Sequence, residues 1–272
     1  MTTPPGHVSI VGAGPGDPGL LTVRAWHRLR EADVVFVDGL VPDAILALAP
    51  QARRVSVSRR SAHDVPPAAV AALIADAAAL GQRVVRLRAG DPFVLARGAE
   101  EALALAEAGV PFEVVPGLSS ALAAPSLASI PLTHRGLASA FVVVSGHAPA
   151  SYAPVLRALP PDAVTVVVLM GLAQRAVIAE TLLDAGWRHS TPAAVVVSAG
   201  WPEERHWYGT LGGLAEGEPP IDAADPGVIV IGGVVGLADL LDHARARRPA
   251  EPARFAQTAG AGRWARAPIG QE

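Results

Sequence analysis

Val8-Ser-Ile-Val-Gly-Ala-Gly-Pro-Gly-Asp17 decides how this chain is read. β-favouring, mostly apolar residues run into a glycine turn, and a helical pattern follows over Leu20–Glu31. Strand, glycine turn and helix together invite a dinucleotide-binding reading, but the spacing opposes it. A pyrophosphate turn is G-x-G-x-x-G, whose third glycine lets the helix pack while free amides face the anion. Here the glycines fall at 12, 14 and 16. Pro15 lacks an amide donor, and Asp17 adds negative charge where a phosphate would sit. Two readings stay open: backbone brought close to an uncharged or cationic ligand, or a tight structural turn without a ligand.

Outward from this turn the alternation continues. Val34–Val37, Arg54–Val57, Val84–Leu87 and Phe112–Val115 read as strands. Between them lie Ala-rich helical stretches, Pro66–Leu80 and Gly98–Ala108, ended by Gly81 and Gly109 where helix C-caps are expected. Such βα alternation predicts a largely parallel sheet covered on both faces. After Val115-Pro-Gly117 the pattern restarts with a helical segment, Ser119–Ser129, and the loop Ile130-Pro-Leu-Thr-His-Arg135. Strands Phe141–Val144, Val164–Leu169, Ala193–Val197 and Val228–Ile231, with a helix near Arg175–Ala185, form a second α/β set. The expected organisation is an N-terminal α/β domain over 1–117 and a C-terminal one over 118–244. Residues 245–272 carry six arginines against two glutamates and no apolar periodicity. They read as a disordered extension, or as a basic partner-binding tail.

Composition narrows the chemistry. The 272 residues are 51% hydrophobic and 17% charged, a globular balance. No apolar run approaches the ~18 residues of a membrane span, and Met1–His7 has no apolar leader, so a cytoplasmic protein is expected. Cysteine is absent, which excludes disulfides, thiolate nucleophiles and cysteine-ligated metals. All 22 basic residues are arginine, which excludes Schiff-base chemistry and a P-loop lysine. A net charge of −3 argues against general nucleic-acid binding. The histidines show no metal-ligand spacing, and no metal is expected.

A second dense segment, Arg86-Leu-Arg-Ala-Gly-Asp-Pro-Phe93, is followed by Arg97-Gly-Ala-Glu-Glu101. It lies at the carboxyl end of a strand, where open α/β sheets bind ligands. Asp91 could accept from a ribose or pair with an ammonium group, or it could cap the following helix. With Val11-Gly-Ala-Gly-Pro-Gly-Asp-Pro18, Glu31-Ala-Asp-Val-Val35 and Asp38, this segment resembles the tetrapyrrole methylase family. The resemblance continues through Val114-Val-Pro-Gly117, Ile130-Pro-Leu-Thr-His-Arg135, Ser145-Gly-His147, Met170-Gly171 and Thr191-Pro-Ala-Ala194, covering about Val8 to Leu240.

The resemblance implies two α/β domains with an S-adenosylmethionine cleft between them, a homodimer, and methylation of uroporphyrinogen III to precorrin-2 for sirohaem or cobalamin synthesis. The family's cofactor positions map onto Pro15, Ala89, Gly90, Asp91, Val94, Ser119, Ser120, Met170 and Ala199. Its proton acceptor maps onto Asp38, which could otherwise cap the next turn. Arg59 stands where the family has a lysine proton donor; arginine stays protonated and is suited to binding a carboxylate instead. A substrate with eight carboxylates needs bidentate donors, for which Arg24, Arg28, Arg59, Arg60, Arg97 and Arg135 are candidates. His134 and His147 lie in family-like motifs. The chain departs from the family at Ala89, Gly39, Ala199-Gly200 and Gly233. If the first turn residue needs positive φ, Ala89 would be strained.

Overall fold

The computed structural model describes residues 6–57, 66–218 and 220–245. Strands β1 (Val8–Gly12), β2 (Val34–Val37), β3 (Arg53–Ser56), β4 (Val84–Arg88) and β5 (Phe112–Val115) form a wholly parallel sheet in the order β3-β2-β4-β1-β5. Both faces are covered, so β1 and β2 are buried along their whole length. On one face Val11, Val35 and Leu87 pack with helices α1 (Val23–Glu31) and α2 (Asp43–Leu46). On the other, Ile10, Phe36 and Val84 pack with α3 (Pro67–Ala79) and α4 (Gly98–Glu107). The helices end as their glycines predict: Gly81 and Gly109 take φ of 79° and 68°.

The second sheet differs in kind. α5 (Ser120–Leu127) leads to β6 (Phe141–Ser145), α6 (Pro149–Ala158), β7 (Thr165–Leu169), α7 (Arg175–Asp184), β8 (Pro192–Val197), β9 (Arg205–Thr210), α8 (Leu211–Ala215), β10 (Gly227–Ile231) and α9 (Ala238–Arg245). The order is β6-β7-β10-β8-β9, and only the β6–β7 pair is parallel. β9 escaped the sequence reading because an edge strand of Arg-His-Trp-Tyr-Gly-Thr, exposed along much of its length, has no apolar run. α6 was hidden by Pro149 and Pro154, which read as breakers although the first sits in the opening turn, where its missing amide costs nothing.

α5 packs on the second sheet, with Ala121, Ala124 and Ala128 against Val167, Ala194 and Val228. The opposite face holds Tyr152, Leu156, Ile178 and Leu182. Apart from Arg245, the expected tail lies outside the described residues. Among the described residues, no helix is long and apolar enough to cross a membrane.

Candidate active site

Parallel strands deliver their following loops to one end of a sheet. At that end the first turn locks onto its neighbours. Ala13 N donates to Arg88 O at 2.7 Å, and Gly14 and Gly90 exchange backbone hydrogen bonds of 3.1 and 2.9 Å. A Cβ on Gly12 would lie 2.5 Å from Gly117 N and 2.6 Å from Gly90 O, so only glycine allows the three strand ends to meet. Asp17 caps the short 3-10 turn Pro18–Leu20 by accepting from Gly19 N at 2.7 Å. Its exposed carboxylate is thus occupied outside the cleft described below.

Asp91 holds the neighbouring loops. Oδ1 accepts from Phe93 N at 2.8 Å and Oδ2 from Gly117 N at 3.1 Å. Asp91 does not cap the following helix, since α4 begins only at Gly98 with Arg97 at its N-cap and no side-chain cap bond; it ties two loops together, and its remaining lone pairs can still accept from a ligand. The left-handed residue of the turn is Gly90, at φ 66°, whereas Ala89 is not in that region. The strain expected of an alanine at 89 is therefore not found.

The second half supplies a wall of unusual backbone. Met170, just after β7, and Ser198, just after β8, take φ of 56° and 53°, and Leu95 in the facing loop takes 48°. Such conformations cost energy for side-chain-bearing residues and gather at functional sites. Trp201 Nε1 donates to Pro15 O at 3.0 Å, joining the two halves. A Cβ on Gly16 would lie 2.2 Å from that nitrogen, so the contact requires glycine at 16.

Between the halves lies a cleft of about 590 Å³. Pro15, Asp38, Ala89, Gly90, Asp91, Val94, Ser119, Ser120, Met170 and Ala199 all line it. Ser119 also caps α5, accepting from Ala121 N at 3.3 Å. Arg59 and Arg60 lie outside the described residues. Arg97 lines the cleft, paired with Glu100 at 3.1 Å; Arg24, Arg28, Arg135, His134 and His147 do not line it. Among the described residues no group of side chains could hold a metal ion.

No motif in the sequence marks out a role for the residues beneath Asp38. Arg86 Nη2 donates to Asp38 Oδ1 at 2.6 Å and to Glu101 Oε1 at 2.9 Å, while Nε donates to Glu101 Oε2 at 2.9 Å. Arg88 Nη1 donates to Glu101 Oε1 at 2.7 Å, and its Nη2 lies 3.6 Å from Asp38 Oδ2. Arg86 and Glu101 are each only 2% exposed. Burial alone would lower the Arg86 pKa, but its contacts with Glu101 and Asp38 outweigh this and raise it. One signal was available: arginines two apart on a buried strand share a face, and both must find partners there.

A family model described as Tetrapyrrole (Corrin/Porphyrin) Methylases matches residues 7–215. The chain belongs to this family. Among relatives, the siroheme synthase of Neisseria meningitidis serogroup C is 45% identical over 240 residues, 87% of this chain and 49% of that protein. Siroheme synthase 2 of Serratia proteamaculans is 39% identical over 249 residues, 91% of this chain and 53% of that one. The chain thus spans about half the length of the curated relatives it matches. A solved structure of uroporphyrin-III C-methyl transferase from Thermus thermophilus, complexed with S-adenyl homocysteine, is 41% identical, with a TM-score of 0.73. That match covers 85% of this chain and 100% of the other. The two-sheet α/β architecture, with the cleft between the sheets, is that of the tetrapyrrole methylases.

Proposed function

We propose that this chain is an S-adenosylmethionine-dependent C-methyltransferase that converts uroporphyrinogen III to precorrin-2. One observation carries the reading: every described residue expected to hold cofactor or move a proton lines a single cleft. Its volume of about 590 Å³ lies within the range of small-molecule sites. The donor set fits the cofactor. Neither the turn 12–17 nor the stretch 89–91 carries a basic side chain, and the second ends in Asp91, whose carboxylate suits a sulfonium ligand. Bound there by Pro15, Ala89, Gly90, Asp91, Val94, Ser119, Ser120, Met170 and Ala199, S-adenosylmethionine would supply a methyl group activated by the sulfonium charge.

The chain's own residues do the rest. Leu40, Val94, Leu95 and Met170 form an apolar rim suited to the face of a macrocycle and to excluding water. Every pyrrole β-carbon of that substrate already bears a carboxylate side chain, so the methylated carbon has no proton to lose; Asp38 takes the proton that leaves a ring nitrogen or a bridging methylene as the methyl group adds. Arg97 in the cleft, and Arg59 from beyond the described residues, bind substrate carboxylates. In this reading residues 1–117 and 118–244 are the two domains, the protein is a cytoplasmic homodimer, and its product feeds sirohaem or cobalamin synthesis.

The test is anaerobic incubation with S-adenosylmethionine and uroporphyrinogen III, followed by mass spectrometry and absorption spectroscopy. Addition of two methyl groups and a red-shifted chromophore on oxidation are expected. Methyl transfer to another precorrin, with none to uroporphyrinogen III, would move the chain to a different tetrapyrrole. Cofactor binding without transfer to any tetrapyrrole would make it a binding protein.

A further inference from the structure

We propose that Arg86 is the positioning residue for proton transfer, fixing Asp38 so that one carboxylate oxygen is held and the other is left to accept the proton that the tetrapyrrole loses. This inference rests on reading Asp38 as the proton acceptor. Every N–H of the Arg86 guanidinium is used. Besides the bonds to Asp38 Oδ1 and to both oxygens of Glu101, Nη1 donates to Phe36 O and Leu87 O at 3.3 Å each. The group therefore ties the carboxyl ends of β2 and β4 to the first turn of α4 and aims its remaining donor at Asp38.

The division of labour within Asp38 follows from the distances. Oδ1 is engaged at 2.6 Å, whereas among the described residues the nearest cation to Oδ2 is Arg88 Nη2 at 3.6 Å, beyond hydrogen-bond length. Asp38 lines the cleft with its side chain 17% exposed, so a proton can reach it there.

Stability does not explain the arrangement. Buried ion networks can generally be replaced by apolar residues of similar size without loss. Two guanidiniums and two carboxylates beneath a cleft instead supply fixed geometry in a site of low dielectric. A lysine at 86 would keep the charge, but it has three donors on one nitrogen and cannot span five acceptor contacts.

The experiment is a double-mutant cycle. We measure kcat, tetrapyrrole KM and cofactor Kd for the parent, Asp38→Asn, Arg86→Gln and the pair. Arg86→Gln is expected to lower kcat about tenfold or more, with cofactor Kd within about twofold of the parent. In the Asp38→Asn background the same change should cost less than about twofold, because its target is already gone. Arg86→Lys should lose nearly as much as Arg86→Gln.

Arg86→Gln leaves the buried Glu101 carboxylate paired with Arg88 alone, so the cycle is repeated with Arg86→Leu/Glu101→Leu, which removes the Arg86 and Glu101 charges together. Equal loss of kcat with and without Asp38→Asn would mean that Arg86 only supports the fold, and would overturn the inference while leaving Asp38 in place. Parent-like kcat in Arg86→Lys would overturn the claim of a geometric role. Unchanged kcat in Asp38→Asn itself would sink the Asp38 reading and this inference with it.

Discussion

Two charged clusters occupy opposite ends of the first sheet. At the carboxyl ends, Asp38, Arg86, Arg88 and Glu101 form a buried network beneath the cleft. At the amino ends, Glu113 of β5 accepts from Ser9 at 2.9 Å and His7 at 3.0 Å, and from Arg28 of α1. Both clusters join neighbouring strands to a helix through arginine and glutamate. What separates them is water. Arg28 and Glu113 keep 33% and 23% of their side chains exposed, against 3% each for Arg86 and Glu101. In a parallel sheet the two ends are not equivalent, since only the carboxyl ends open onto the ligand crevice. The same residue types can therefore shape a site at one end and modestly stabilise the fold at the other.

The contrast is broken or sharpened most directly at Asp38. Asp38→Asn should lower kcat by about 10²–10⁴-fold, the usual worth of a positioned proton acceptor. Cofactor affinity should stay within about twofold, as titration calorimetry would measure. A kcat near that of the parent would deny the carboxyl-end cluster its chemical role.

Glu101→Ala is next in size. It removes the carboxylate that binds both Arg86 and Arg88, so unpaired charge is left in a buried place. The expected cost is about 3–5 kcal/mol in urea unfolding. The matching change at the amino end, Glu113→Ala, should cost about 1 kcal/mol or less. Equal losses would show that burial does not distinguish the clusters.

Asp91→Ala tests the carboxyl end without touching its charge network. The amides of Phe93 and Gly117 would lose their acceptor and the loops around Gly90 would loosen. Cofactor Kd should rise about tenfold, or ~1.4 kcal/mol. An unchanged Kd would remove Asp91 from the cofactor wall.

The amino-acid order made the backbone architecture legible but concealed the cluster that matters most at the cleft. β1 and β2 were readable because Val-rich runs buried on both faces leave a continuous signal. Gly81 and Gly109 were readable because each needs a left-handed backbone that other residues resist. The cleft residues Asp38, Gly90 and Asp91 follow strands directly, so a motif at a strand end locates them. Arg86 and Glu101 offered no such marker. Their pairing joins a strand to a helix 15 residues on, and Arg86 meets Asp38 across 48 residues. Only packing of β2 against β4 and α4 brings them together. The left-handed Met170 and Ser198 were invisible for another reason: the surrounding fold imposes a conformation that neither side chain favours.

The smallest effect is a pH dependence at the amino end. Burial pushes the Glu113 carboxyl up, but hydrogen bonds from Arg28, His7 and Ser9, with the Arg28 charge, outweigh it and hold the pKa near 2, against an ordinary 4.5. A depressed folded-state pKa means that Glu113 contributes stability fully above about pH 4.5. That contribution fades as pH falls through the folded value near 2. Water reaches the cluster, so about 1 kcal/mol is at stake. The measurement is the unfolding free energy of the parent minus that of Glu113→Gln, followed from pH 6 downward. The difference should be constant to about pH 5 and approach zero near pH 2. Asp33, which hydrogen bonds from Arg83 also hold at about 2, titrates in the same window, and subtracting the variant cancels it. A difference that does not change with pH would mean that the ionic contacts of Glu113 contribute nothing to stability. The two ends of the sheet would then differ in burial alone, and the amino-end charges would be accounted for by solubility.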